Sequence, residues 1–212
     1  MQLYVRIIYY LMIASSALPL LVLAFQPKAL SHLNKVVRIS LISYFTYGVF
    51  HHLACIYTSL QFRNSSPVGH FSVLIEFYIL LFYFNSIRPF KHFISIAILG
   101  IMPFILDLFW TSALFKNVIV SSALYYSLHI YFSYKTIYQM GFQRIENFFT
   151  VTFFLYFISC LIYAVFYNFI ISDKTVWHIV FPFFVLINFI FYLALTWGVL
   201  NLNRKLIQVQ QI

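Results

Sequence analysis

HFSVLIEFYILLFYF, running from His70 to Phe84, reads as most of a membrane-crossing helix with one carboxyl inside it, at Glu76. A charged side chain in hydrocarbon costs at least ~2.5–3.5 kcal/mol on insertion scales, so such a group turns toward a protein interior and serves it. The chain holds 4 acidic residues, and Glu76 and Asp107 both stand within apolar runs. The remaining sequence reads as the enclosure around that pair.

Composition agrees with this reading. Of 212 residues, 63% are hydrophobic and 8% charged, with a mean hydropathy of +0.92. A soluble domain carries about 25% charged residues, so the solvent expected for this surface is lipid. The chain has 27 Phe and 17 Tyr but 5 Gly, and no GxxxG motif. Packing is therefore expected to rest on bulky rings rather than close glycine crossings. The net charge of +9 comes from basic residues scattered between apolar runs. That is a topology signal and excludes a continuous track for a phosphate backbone, so no nucleic-acid partner is expected. Cys55 and Cys160 lie inside apolar runs without a CxxC spacing and read as small hydrophobes.

Going outward from Glu76, the apolar runs define an all-α, polytopic membrane protein of one domain, residues 1–212, with seven transmembrane helices. They span about 7–25, 38–60, 70–87, 92–112, 117–134, 148–171 and 176–200. Each approaches the ~20 residues needed to cross ~30 Å of hydrocarbon. The first is read as a retained anchor, because it is long enough to span and lacks a small-residue cleavage site. Lys28, Lys35, Arg38, Arg88, Lys91, Lys135, Arg144, Arg204 and Lys205 fall on one side, against Arg6, Arg63, Lys116 and Lys174 on the other. The positive-inside rule puts the N-terminus outside and the C-terminus in the cytoplasm. The expected location is a cytoplasmic (inner) or plasma membrane.

Helical spacing then gathers polar residues into stripes. The fifth span carries Ser122, Tyr126, His129, Ser133 and Thr136; the sixth carries Thr152, Tyr156, Ser159, Tyr163 and Tyr167. The second carries Ser40, Tyr44, Gly48, one of His51 and His52, Cys55 and Ser59, since adjacent helical residues diverge by ~100°. His178, Asn188, Tyr192 and Thr196 mark the seventh. Hydroxyls in this number are unfavourable toward lipid, so the stripes are expected to face one another around an outward-opening polar cavity. At ~1.5 Å per residue, Glu76, Asp107, His52, Tyr126 and Tyr163 lie ~8–12 Å below the outer ends of their spans, with His129 and Asn188 nearer ~16 Å. His178 is placed at the mouth.

The cavity set Glu76, Asp107, His51, His52, Tyr126, His129, Tyr163, His178 and Asn188 suits a receptor or transport protein responding to a small ligand or a proton. Two carboxyls that approach in a dry site share one proton, and a histidine relays it. A different chemistry uses overlapping residues. His52, Glu76, Asp107 and His178 are suitable zinc ligands, and an open position would hold water for hydrolysing a lipid or amide. Helix count, size and the presence of His and Asp loosely resemble the seven-helix membrane hydrolases of the alkaline ceramidase and adiponectin-receptor group. Where that group has an HxxxH pair, this chain has His178 followed at the fourth position by Pro182. A third expectation is a non-catalytic subunit or scaffold whose aromatic surface meets a membrane-protein partner. A retinal Schiff base is excluded by the absence of Lys from 176–200.

Overall fold

A computed structural model describes residues 3–62, 66–110, 120–140, 145–172 and 174–210. Among them are helices and no strands: α1 (Leu3–Phe25), α2 (Lys35–Phe62), α3 (Ser66–Ile87), α4 (Phe93–Leu99), α5 (Met102–Trp110), α6 (Val120–Met140), α7 (Ile145–Ser172) and α8 (Lys174–Gln210). Four are long and apolar enough to cross a membrane, over Lys35–Thr58, Val68–Ile87, Asn147–Phe166 and His178–Leu202.

The surface is apolar where a soluble protein's is not. Phe25, Phe109 and Ile94 are 85%, 82% and 71% exposed, while Ser16, Ser121, Ser133 and Thr150 are 0% exposed. A chain folded for water would invert that distribution. Such a surface is compatible with lipid, against which buried apolar area gains little and interior polar contacts and shape decide how helices meet.

Six helices close a ring in which α1 packs on α2, α2 on α3, α3 on α6, α6 on α7, α7 on α8 and α8 on α1. The fourth expected span differs from the sequence reading, being broken into α4 and α5 at Gly100 and Ile101. The break falls one turn before Pro103, which lacks the amide hydrogen needed to continue the preceding turn. Segment α4 leans on α3 and α5 on α6, and α4 contains no buried residue. Pro19 and Pro182, by contrast, are carried inside α1 and α8 without ending them.

Local signals fix the ends. Asn34 caps α2, its Oδ1 accepting the Val36 amide hydrogen at 2.9 Å, as expected of an N-cap asparagine. After α3, the Asn85 Oδ1 accepts the Phe90 amide at 2.9 Å across the Arg88–Pro89 stop. The connection between α1 and α2 folds as successive turns, and its Ala29, Leu30 and Leu33 join the buried core.

Hydroxyls divide into two groups. Thr136, Thr152, Ser159 and Thr196 bond carbonyls one turn back in their own helices. Tyrosines instead reach between segments. Tyr78 donates to the Ala97 carbonyl at 2.7 Å, and Tyr125 to that of Gly100 at 2.6 Å, tying α3 and α6 to the broken segment. Tyr83 pairs with Thr150 at 3.3 Å between α3 and α7. A phenol suits this task because its ring fills space while its hydroxyl finds a partner.

Candidate functional site

Glu76 is 7% exposed, and its Oε1 accepts the Tyr44 hydroxyl at 2.9 Å. Helix α3 begins at Ser66 rather than His70, which puts the carboxyl ten residues, or ~15 Å, from that helix end. It therefore lies near the middle of α3. Electrostatic contact extends from it to Tyr47 on α2, Tyr126 on α6, Tyr156 and Cys160 on α7, and Tyr192 on α8. Among the described residues no Lys or Arg neighbours it. The carboxyl is thus bonded by one phenol, Tyr44, and its charge bears on phenols of α2, α6, α7 and α8.

Packing fixes that arrangement. The Tyr44 ring meets Phe153 edge-on at 5.0 Å and Phe191 at 6.1 Å. Phe191 stacks on Tyr156 at 3.9 Å, and Tyr156 donates to the Asn188 Oδ1 at 2.9 Å. Asn188 passes the constraint on by donating from Nδ2 to the Phe184 carbonyl at 2.8 Å. Side-chain position on α7 and α8 is in this way coupled to the carboxyl's surroundings. Gly48 leaves room for the Tyr192 phenol, since a Cβ there would lie 2.5 Å from its hydroxyl oxygen.

The two adjacent histidines turn to different neighbours, and the buried Nε2 of His52 has no hydrogen-bond partner among the described residues. His52 is buried and faces Tyr192 edge-on at 5.8 Å, toward α8. His51 turns to α3, where its Nδ1 and the Ser72 Oγ share a hydrogen bond of 2.6 Å. Its ring stacks on Tyr47, whose hydroxyl donates to the Ser72 carbonyl at 3.0 Å. This second cluster lines a groove of about 340 Å³ between α2 and α3, with exposed Phe50, Phe71 and Ile75 at its edge.

The remaining expected residues separate. His129 is buried among the rings of Phe157, Phe77 and Phe84, at 4.5, 5.8 and 6.3 Å. Tyr126, one turn earlier, stacks on Phe157 at 5.7 Å. Tyr163 stacks on Phe184 at 4.1 Å and lines an apolar groove of about 320 Å³ between α7 and α8, apart from the carboxyl. His178 is exposed on α8. Asp107 belongs to α5, and its side chain lies outside the described residues, as does that of Tyr167. No group of three His, Cys, Asp or Glu side chains that could hold a metal gathers among the described residues, and Asp107 of the expected zinc set (His52, Glu76, Asp107 and His178) lies outside them.

Sequence spacing places Tyr44, Tyr156 and Tyr192 on inward stripes but does not single them out as neighbours of Glu76. The signal available is aromatic: each is a polar ring at helical spacing on a span that also carries inward hydroxyls. Tyr47, three residues after Tyr44, falls outside the stripe altogether. Chemically, the cluster can hold or exchange a proton at the carboxyl and redistribute hydrogen bonds among the phenols around it. Compared with protein-family models, curated proteins and solved structures, the chain has no match in any of the three.

Proposed function

We propose that this chain is an integral membrane protein of seven spanning segments, the broken α4–α5 pair counting as one, with its N-terminus outside and its C-terminus in the cytoplasm. It acts as a receptor or transport protein responding to a proton or small ligand through Glu76. The observation that carries this reading is a buried carboxyl bonded by Tyr44, with no Lys or Arg beside it among the described residues. Loss or gain of one proton there changes the charge felt by five helices at once. A conformational readout needs such a shared element, because an input can shift an equilibrium only by interacting differently with its two states.

A proton is the simplest input, since the phenols supply both donors and acceptors for it. Infrared difference spectroscopy on reconstituted protein, with the band assigned by comparison with Glu76→Gln, tests the reading. A carboxyl band that appears and disappears as pH is stepped, accompanied by a backbone amide change, is the expected result. A Glu76 carboxyl indifferent to pH would overturn it.

A further inference from the structure

One face of α6 runs past the turn of α3 that carries Glu76. Phe77, the neighbour of Glu76 in α3, meets the His129 ring of α6 at 5.8 Å. His129 is 1% exposed, and neither ring nitrogen has a protein hydrogen-bond partner. One further turn on, the Ser133 hydroxyl is 0% exposed and likewise unpartnered. In the first turn of α7, Asn147 is 1% exposed, with both amide atoms unpartnered. Helices α6 and α7 pack against each other, so the end of α6 and the start of α7 lie at the same end of the bundle. Five polar atoms on three side chains of this helix pair thus lack protein partners among the described residues.

Leaving such atoms dry is costly, because a buried donor or acceptor gives up its bonds to water and gains none in return. Buried water ordinarily meets this need, making about three bonds to polar groups that have no other partner. Residues one helical turn apart are separated by ~5.4 Å along the axis, a gap that one bridging water closes with two hydrogen bonds. A ring with two free nitrogens also has a specific use: imidazole accepts a proton at one nitrogen and releases the other nitrogen's proton.

We infer that His129, Ser133 and Asn147 line a file of internal waters that carries protons between Glu76 and the end of the bundle where α6 finishes and α7 begins. This inference rests on the proton-responsive reading of Glu76 and adds a path and a cargo to it. At each step a proton arrives on one His129 nitrogen as another leaves from the opposite nitrogen, so the imidazole keeps no net charge. Exchange of the two tautomers resets the ring. The charge of Glu76 bears on Tyr126 of α6 and on Tyr156 and Cys160 of α7. On the proposed topology the path opens to the cytoplasm.

The test uses the full chain in liposomes containing a pH-sensitive dye, with a potassium diffusion potential driving proton entry. Wild type is expected to conduct. His129→Phe, which keeps a ring and removes both nitrogens, and Asn147→Leu are each expected to lower the flux at least tenfold. Ser133→Ala is expected to have a smaller effect. A dry interior makes the opposite forecast, because removing unpartnered polar atoms then raises stability and leaves flux unchanged. Equal flux in wild type and His129→Phe, or no flux in wild type, would overturn the path. The infrared band of Glu76 keeps the two proposals apart. If it titrates without flux, the path falls and the responsive carboxyl stands; if it does not titrate, both fall.

Discussion

Glu76→Gln is expected to abolish the response to protons while leaving the helices where they are. Glutamine matches glutamate in shape, and its amide oxygen can still accept the Tyr44 hydroxyl that now lies 2.9 Å from Oε1. Stability should therefore change by no more than about 1 kcal/mol, the net worth of one neutral hydrogen bond. What disappears is the exchangeable proton. The change in charge felt by Tyr47, Tyr126, Tyr156 and Tyr192 disappears with it. Reconstituted Glu76→Gln should show no pH-dependent conformational signal and no proton flux, at an unchanged midpoint of detergent-induced unfolding. A variant that responds like wild type would show that the carboxyl only holds the helices in register.

Gly100→Ala is expected to have the largest structural effect of a single added methyl group. Gly100 has ordinary helical angles, φ −61° and ψ −17°, so its value lies in space and not in backbone freedom. The Phe77 ring, fully buried and adjacent in sequence to Glu76, presses directly against the site of the missing Cβ. Phe77 has little room to withdraw, since its ring also meets Tyr125 at 4.8 Å and His129 at 5.8 Å. The Gly100 carbonyl is held from the other side by the Tyr125 hydroxyl. Overpacking of this kind costs about 1–3 kcal/mol. The expected result is a lowered unfolding midpoint together with a disturbed Glu76 infrared band, because Phe77 transmits the displacement. An unfolding curve superimposable on wild type would mean that α4 and α5 yield freely at their junction.

These two residues show how much of the molecule is legible in sequence. Glu76 is conspicuous because a carboxyl in an apolar run has few acceptable surroundings, and burial follows from that alone. The α6 stripe is equally plain: of its members, Ser122, His129, Ser133 and Thr136 are all buried. Gly100 is a different matter. A glycine in an apolar run carries no indication of which ring will occupy the space above it. That depends on how α3 and α4 meet, which periodicity does not encode.

Tyr44 illustrates the same boundary. Helical spacing puts it on the inward face of α2, but its pairing with Glu76 depends on the register of α2 against α3. Tyr47 and Ser72 follow that register one turn away, with a 3.0 Å bond between them. Their connection includes residues 63–65, outside the described structure, and nothing in its composition dictates the offset. The start of α3 is missed for a related reason. Hydropathy marks where apolar residues begin, whereas α3 gains its first turn from Ser66, Pro67, Val68 and Gly69. Proline is well tolerated in the first turn of a helix, so a segment that reads as a loop extends the rod by one turn.

Stapling by phenols also explains how the bundle manages with few glycines. Bulky side chains keep helix backbones apart, and long polar rings can still bridge the separation. Tyr44, Tyr78, Tyr83, Tyr125 and Tyr156 each end on an acceptor in another helix or at the α4–α5 junction. The same chemistry that holds the ring together therefore supplies the surroundings of the carboxyl.

A double-mutant cycle between Tyr44→Phe and Glu76→Leu, read as unfolding free energies in mixed micelles, tests this arrangement most directly. Tyr44→Phe alone strands a buried carboxyl, and Glu76→Leu alone strands a buried hydroxyl. Together they remove both needs, so the double variant should be more stable than the sum of the single losses predicts, by about 1.5–3 kcal/mol. Losses that simply add would mean that Tyr44 and Glu76 do not meet, and the carboxyl would no longer stand at the centre of the ring.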